Sequence, residues 1–434
     1  MPSYSQFSEV HKRYQAMDSS FTINQRWKLC TFTSLTSIII LMFLLGQDHE
    51  TLNFFTFRSS TSSLSSSFSL VDYYVAASIQ LQPNDTSRLS EYDKHKKKSC
   101  NIFDGKWVYD PKASPLYDQT KCPFLSDQVS CRRNGRRDFG YEKLNWEAAG
   151  CKVPRFNSKD MLEKLRGKRM IIAGDSLNRN QWESLACLLY SALPPSQVYV
   201  DVKSGSYKIF KAKEYNCSVE FFWSPFLVEL KVDEANGARI LELGKLSAMS
   251  KKWYGANIMV FNTGHWWVHQ GKLQAWDYFH YDGKMVETMD MELALEAAMK
   301  TWSNWIDQNV DRNKTVVFFR SISPEHKGKQ WCYNETQPFS DESYQEIFPE
   351  SLIEVFERTI KRMKTPVKYL NITKLSQYRR DAHPSIYAKK QGKLLVAVKR
   401  RKEEIIADCS HWCLPGLPDT WNRLLYASIV SDSS

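Results

Sequence analysis

Ser176 stands where an apolar stretch, Met170-Ile171-Ile172-Ala173, ends in Gly174-Asp175 and a helix-like run from Asn178 to Leu189 begins. Near the C-terminus comes Asp408-Cys409-Ser410-His411. A serine on a strand-to-helix turn can present its hydroxyl, and the helix N-terminus there contributes positive dipole. An Asp three residues before a His can turn back and hold the imidazole in one orientation. Nucleophile, base and orienter together serve acyl transfer. A second Asp-x-x-His, Asp277 to His280, lies in the aromatic stretch Trp276 to Tyr281 and reads as a surface or substrate-loop element. The motif order, serine first and Asp-x-x-His last with strands and helices between, favours His411 as the base.

The tetrahedral intermediate of acyl transfer needs donors aimed at its oxyanion. The backbone N–H of Ser176 or its neighbour is one. The side-chain amide of Asn262, in Asn262-Thr263-Gly264-His265-Trp266-Trp267, is a second candidate, and an ordinary turn role is its alternative. Arg179, Trp266, Trp267, Arg320, His326 and His383 are candidate acceptor contacts, with structural roles as the alternative for each.

The elements that would carry these residues alternate. A helix is expected over 160–165, a buried strand over 168–173, a helix over 178–193 and β-type alternation over 215–228. An apolar strand follows at 257–261, then a long helix over 286–309 and a strand over 315–320. A helix over 350–363 and a strand over 367–370 complete the series. Apolar strands alternating with helices indicate a mostly parallel sheet covered on both faces. Ligands bind such sheets beyond the carboxyl ends of the strands, where Ser176, Asn262, Ser321 and Asn371 fall.

The ends of the chain read differently. Leu29 to Gly46 is uncharged and long enough for a short transmembrane helix. No small-x-small cleavage site clearly follows Gly46, so an uncleaved anchor is expected. Lys12, Arg13, Arg26 and Lys28 precede it, whereas Asp48 and Glu50 follow. The positive-inside rule puts the N-terminus in the cytoplasm and the rest in a lumen. A short anchor suits thin early secretory membranes, hence the Golgi. The expected division is a cytoplasmic tail over 1–26, an anchor over 27–47 and a Ser-rich stem over 48–98. A Cys-containing subdomain over 99–152 and a catalytic domain over 153–434 follow.

Sequons at Asn84, Asn216, Asn313, Asn334 and Asn371 all lie past the anchor, as do nine of the ten cysteines. Nine permits four bridges and one free thiol in an oxidising compartment. No spacing suggests zinc, and no metal or bound cofactor is expected. Cys409 and Cys413 either staple the C-terminus or fix the loop around His411. The net charge of +11 is no sign of nucleic acid given a lumenal topology. Solvated basic faces are the default, and an acidic polysaccharide or anionic membrane surface is the alternative. The 14 Trp and 21 Tyr fit a large core or sugar stacking equally.

Several separated motifs resemble the SGNH, or GDSL, hydrolase-like superfamily, and more closely the plant trichome birefringence-like family. They are Cys100 to Val108, Pro115-Leu116-Tyr117, Gly174-Asp175-Ser176-Leu177-Asn178-Arg179-Asn180-Gln181 and Phe261 to Trp267. Arg320-Ser321-Ile322-Ser323-Pro324-Glu325-His326, Asp381-Ala382-His383-Pro384-Ser385 and Asp408-Cys409-Ser410-His411-Trp412-Cys413 complete the set. The resemblance implies an SGNH-like three-layer α/β sandwich with a disulfide-held, loop-rich N-terminal subdomain. It implies a type II Golgi O-acetyltransferase acting on wall polysaccharide through an acetyl-serine intermediate, with an acetyl donor as co-substrate. It also implies a triad of Ser176, Asp408 and His411, with Asn262 in the oxyanion hole. Its cysteine pattern pairs Cys100 with Cys151, Cys122 with Cys187, Cys131 with Cys413 and Cys332 with Cys409, leaving Cys217 free. An esterase with water as acceptor, or a non-catalytic wall-polysaccharide-binding protein, are the other readings. Xylan, mannan, xyloglucan and pectic backbones all stay open as acceptors.

Overall fold

The computed structural model describes residues 100–328, 331–339, 348–390 and 407–431. The expected tail, anchor and stem, Asn84, Lys96 to Lys98 and Lys399 to Lys402 lie outside the described residues. Among the described residues no helix is long and apolar enough to cross a membrane.

Strands β1 (Gly105–Tyr109) and β2 (Leu144–Ala148) pair antiparallel, with Trp107 opposite Trp146. Turns and short 3-10 segments connect them, as the Gly, Pro and Asp content of that stretch predicts. Next come α1 (Ser158–Lys164), β3 (Arg169–Gly174), α2 (Ser176–Tyr190), β4 (Val198–Asp201), β5 (Tyr207–Ala212) and β6 (Cys217–Trp223). They are followed by β7 (Val228–Val232), β8 (Arg239–Leu246), β9 (Ile258–Phe261), β10 (Tyr278–Tyr281) and β11 (Lys284–Val286). The series ends with α3 (Met291–Asn309), β12 (Val316–Arg320), α4 (Glu350–Arg362), β13 (Val367–Leu370), α5 (Thr373–Gln377) and α6 (Leu417–Val430).

The main sheet has the order β13-β12-β9-β3-β6-β5-β4. The five strands from β13 to β6 are parallel, and β5 and β4 run antiparallel at one edge. Short turns, rather than helices, join β4 to β5 and β5 to β6, so these strands must reverse. β3 shows why the sheet is layered. Met170 and Ile172 pack with Trp182, Leu185 and Leu425 of α2 and α6 on one face. Ile171 and Ala173 pack with Leu295, Trp302 and Phe356 of α3 and α4 on the other. A strand buried on both faces loses the alternation of a half-exposed one. The same cause leaves six of the seven residues of β6 buried, where alternation was expected.

β3 is also the switch point. The sheet grows from it one way to β6 and the other way to β9, which opens a crevice beyond its carboxyl end. Two other differences from expectation are local. The helix expected from Val286 instead starts at Met291, because Asp290 caps it by accepting from the N–H of Leu293. The stretch around His280 is no loop: β10 joins β11, β8 and β7 in a second, four-stranded sheet, whose Val228, Leu241 and Phe279 enter the α3-side core.

Candidate active site

The turn that carries Ser176 follows from three residues. Gly174 is required by close approach: a Cβ there would lie 2.6 Å from the carbonyl oxygen of Asn262 and 2.7 Å from Nδ2 of Asn178. Asp175 caps α2, its carboxylate accepting from the N–H of Leu177 at 2.9 Å. Ser176 is then the first helical residue and is partly exposed.

His411 reaches it from the far end of the chain. Nε2 of His411 lies 2.7 Å from Oγ of Ser176, although 235 positions separate them. Nδ1 of His411 lies 2.9 Å from Oδ2 of Asp408. A carboxylate only accepts, so Nδ1 carries the proton and Nε2 presents its lone pair to the serine hydroxyl. Asp408 Oδ1 accepts from the backbone N–H of Ser410 and His411 at 3.1 and 3.0 Å. Burial pushes the carboxyl of Asp408 up, but His411 and these N–H groups outweigh it and hold the group well below the usual carboxylate range.

The loop that carries this pair is fastened on all sides. Asn180, buried on α2, donates to the carbonyl of Trp412 at 3.1 Å and accepts from its N–H at 2.8 Å. The helix that begins at Ser176 thus holds the residue next to His411 directly. Disulfides Cys131–Cys413 and Cys332–Cys409 bracket the loop, and Cys100–Cys151 and Cys122–Cys187 hold the N-terminal segment. Cys217 is a free, buried thiol. Ser385 and Asp408 exchange backbone hydrogen bonds.

The family model for the GDSL/SGNH-like acyl-esterase family found in Pmr5 and Cas1p matches residues 153–428. The chain belongs to that family. The PMR5 N-terminal domain matches residues 98–152. The chain is 43% identical to the protein trichome birefringence-like 1 of Arabidopsis thaliana over 77% of its own length and 62% of that protein's. It is 42% identical to trichome birefringence-like 3 of the same plant, over 76% of this chain and 79% of that one. It is 38% identical to the xylan O-acetyltransferase 6 of Oryza sativa subsp. japonica, over 77% of this chain and 63% of that one. The chain therefore spans less than two thirds of the first and the last of these relatives.

In this acyl-esterase fold most of the expected acceptor contacts turn inward. Trp267 is buried and donates from Nε1 to Thr263 Oγ1 at 2.8 Å. Arg320 is buried beneath the nucleophile turn, with Nε and Nη2 both donating to Oδ1 of Asn178 at 3.0 and 2.8 Å. Burial lowers its pKa to about 10, against the pull of Asp175. His383 is buried, donates from Nδ1 to the carbonyl of His411 at 2.6 Å and stacks on Trp412. His326 is buried behind it, its Nδ1 2.6 Å from Nε2 of His383, and burial lowers its pKa to about 4. For these four, full burial favours the structural alternative over contact with an acceptor, and they frame the site. Arg179 and Trp266 remain partly exposed, and Trp266 meets Trp223 edge to face at 5.5 Å.

Asn262 is fully buried at the end of β9, its Nδ2 donating to the carbonyl of Arg320 at 3.0 Å. Asp277 and His280 do not form a second dyad: Asp277 pairs with Arg239 at 2.6 Å, and His280 meets Glu242 at 2.6 Å. Two residues of the site were missed from sequence. One is Asn180. The other is Gln128, whose Nε2 lies 2.9 Å from Asp408 Oδ2. His265 lies beside the turn, its Nδ1 3.6 Å from Asp175 Oδ2. Burial lowers its pKa, but Asp175 outweighs that and raises it above the ordinary value.

Proposed function

We propose that this chain is an O-acetyltransferase that moves acetyl groups onto sugar hydroxyls of plant cell-wall polysaccharide through an acetyl-Ser176 intermediate. The observation that carries the reading is the row Ser176 Oγ, His411 Nε2, His411 Nδ1 and Asp408 Oδ2, at 2.7 and 2.9 Å, on the first turn of a helix. Relatives named xylan O-acetyltransferase support a polysaccharide acceptor, xylan among the candidates.

In the first half-reaction Ser176 Oγ attacks the acetyl carbonyl while Nε2 takes its proton and then delivers it to the departing donor group. In the second, a sugar hydroxyl attacks the acetyl ester, loses its proton to Nε2, and Ser176 leaves reprotonated by the same imidazolium. Asp408 stabilises that imidazolium in both. The N–H of Ser176, which has no partner within its helix, faces the developing oxyanion. Asn262 is the second donor in this reading: one N–H of its amide bonds Arg320 at 3.0 Å, and the other meets only the Thr263 and Ser321 carbonyls, both at 3.5 Å, so it is weakly held and can turn to the oxyanion.

The proposed setting is the Golgi lumen, with residues 27–47 as a type II anchor, 99–152 as the Cys-containing subdomain and 153–434 as the catalytic domain. Four disulfides support an oxidising compartment. So do the exposed sequon residues Asn216, Asn313, Asn334 and Asn371. Acetyl transfer to a panel of xylan, mannan, xyloglucan and pectic oligosaccharides, read by mass, tests the function. Ser176→Ala must abolish it; equal transfer by that variant refutes the mechanism. The family description also fits an esterase. Release of acetate with no acetylated oligosaccharide would favour that second reading.

A further inference from the structure

We propose that Gln128, contributed by the N-terminal cysteine-containing segment, is a positioning residue that sets the orientation of the Asp408–His411 pair. The inference rests on the triad reading above. Gln128 sits in the 3-10 turn Asp127–Val129, between Cys122 and Cys131. Cys122 is bonded to Cys187 on α2, the helix that begins with Ser176. Cys131 is bonded to Cys413, two residues past His411. The turn is therefore fastened at one side to the nucleophile and at the other to the base.

The side chain spans the same two halves. Nε2 of Gln128 donates to Asp408 Oδ2 at 2.9 Å, and Oε1 accepts from Nη2 of Arg179 at 2.7 Å. This amide orientation is forced, because a guanidinium only donates and a carboxylate only accepts. Nε2 also lies 3.1 Å from Nδ1 of His411. Both nitrogens carry protons that converge on Oδ2, so the ring and the amide stand side by side as its two donors. Backbone N–H groups occupy Oδ1. Among the described residues, Gln128 thus supplies the one donor to this carboxylate that comes from outside the 408–411 loop. Its other end holds Arg179, one turn along α2 from Ser176 and on the same side of the helix. A free amide of this length has no reason to be ordered; here it joins nucleophile helix, orienting carboxylate and base.

Glutamate at this position is nearly isosteric. It can accept from Arg179 but cannot donate to Asp408, and it sets a second negative charge against that carboxylate. The imidazolium of His411 is then stabilised. We expect the His411 titration midpoint, followed by NMR in the full-length protein, to rise by about one pH unit in Gln128→Glu. The acid limb of the transfer rate moves up with it. In Gln128→Met, which keeps the volume and loses both bonds, kcat falls about tenfold while KM stays within twofold. Equal His411 midpoints in parent and Gln128→Glu overturn the positioning role, whatever Ser176→Ala does, so the two readings fail separately. Should the Glu variant not fold, an unchanged kcat in Gln128→Met overturns it instead.

Discussion

Replacing Asp408 by asparagine probes the site through a count of donors. Among the described residues four groups donate to this carboxylate: the N–H of Ser410, the N–H of His411, Nδ1 of His411 and Nε2 of Gln128. An amide has one accepting atom, so no orientation of the substituted side chain satisfies all four. With its NH₂ facing the backbone, two N–H groups meet a donor and the loop opens. With its NH₂ facing the ring, the imidazole must take the other tautomer, and Nε2–H then points at Ser176 and can no longer accept its proton. Either arrangement leaves Gln128 or the backbone unpaired, at about 1–3 kcal/mol of stability. The tautomer error is worth about 10³–10⁴ in rate, the size such a change has in other serine triads. Single-turnover acetyl transfer, with thermal unfolding alongside, measures both. A rate within tenfold of the parent would refute the assignment of Asp408 as orienter.

Three further outcomes follow from the surroundings. Gly174→Ala drives a Cβ to 2.6 Å from the Asn262 carbonyl oxygen and should cost about 1–3 kcal/mol in unfolding free energy, together with most of the activity. Asn180→Ala removes both hydrogen bonds to Trp412, and transfer should fall at least tenfold while the disulfides, checked by thiol titration, stay intact. Asp419 lies beneath α2, accepting from Ser184 and Tyr117, and burial raises its pKa to about 6. A carboxyl raised in the folded state stabilises most below its unfolded value near 4, and that contribution is lost as pH rises through about 6. The parent-minus-Asp419→Asn difference in unfolding free energy should therefore shrink by about 2 kcal/mol between pH 4 and pH 7.

What could be read in advance depended on whether a residue's role is local. The turn that carries Ser176 was legible because an all-apolar strand, a glycine and a serine abut in the chain. The pairing of His411 with Asp408 was legible because they lie three residues apart. Gln128 and Asn180 act across 280 and 232 positions, and an isolated amide carries no spacing that announces a distant partner. For Gln128 the available signal was its place between two cysteines whose partners flank Ser176 and His411. For Arg320, His326, His383 and Trp267 the sequence leaves acceptor contact and a structural role equally open. Burial decides between them, and it depends on packing from α6 and the 408–413 loop for the first three and from the α3-side core for Trp267, which no residue type records. The second sheet went unread because β10 and β11 are short and charged residues interrupt β7 and β8.

The central claim is that the acetyl group rests covalently on Ser176. The purified protein, exposed to an activated acetyl ester without acceptor and then digested, should yield one acetylated peptide, modified at Ser176. Adding an acceptor oligosaccharide should clear that label and acetylate the sugar. Transfer proceeding with Ser176 unlabelled, or with the acetyl group on another residue, would contradict the account.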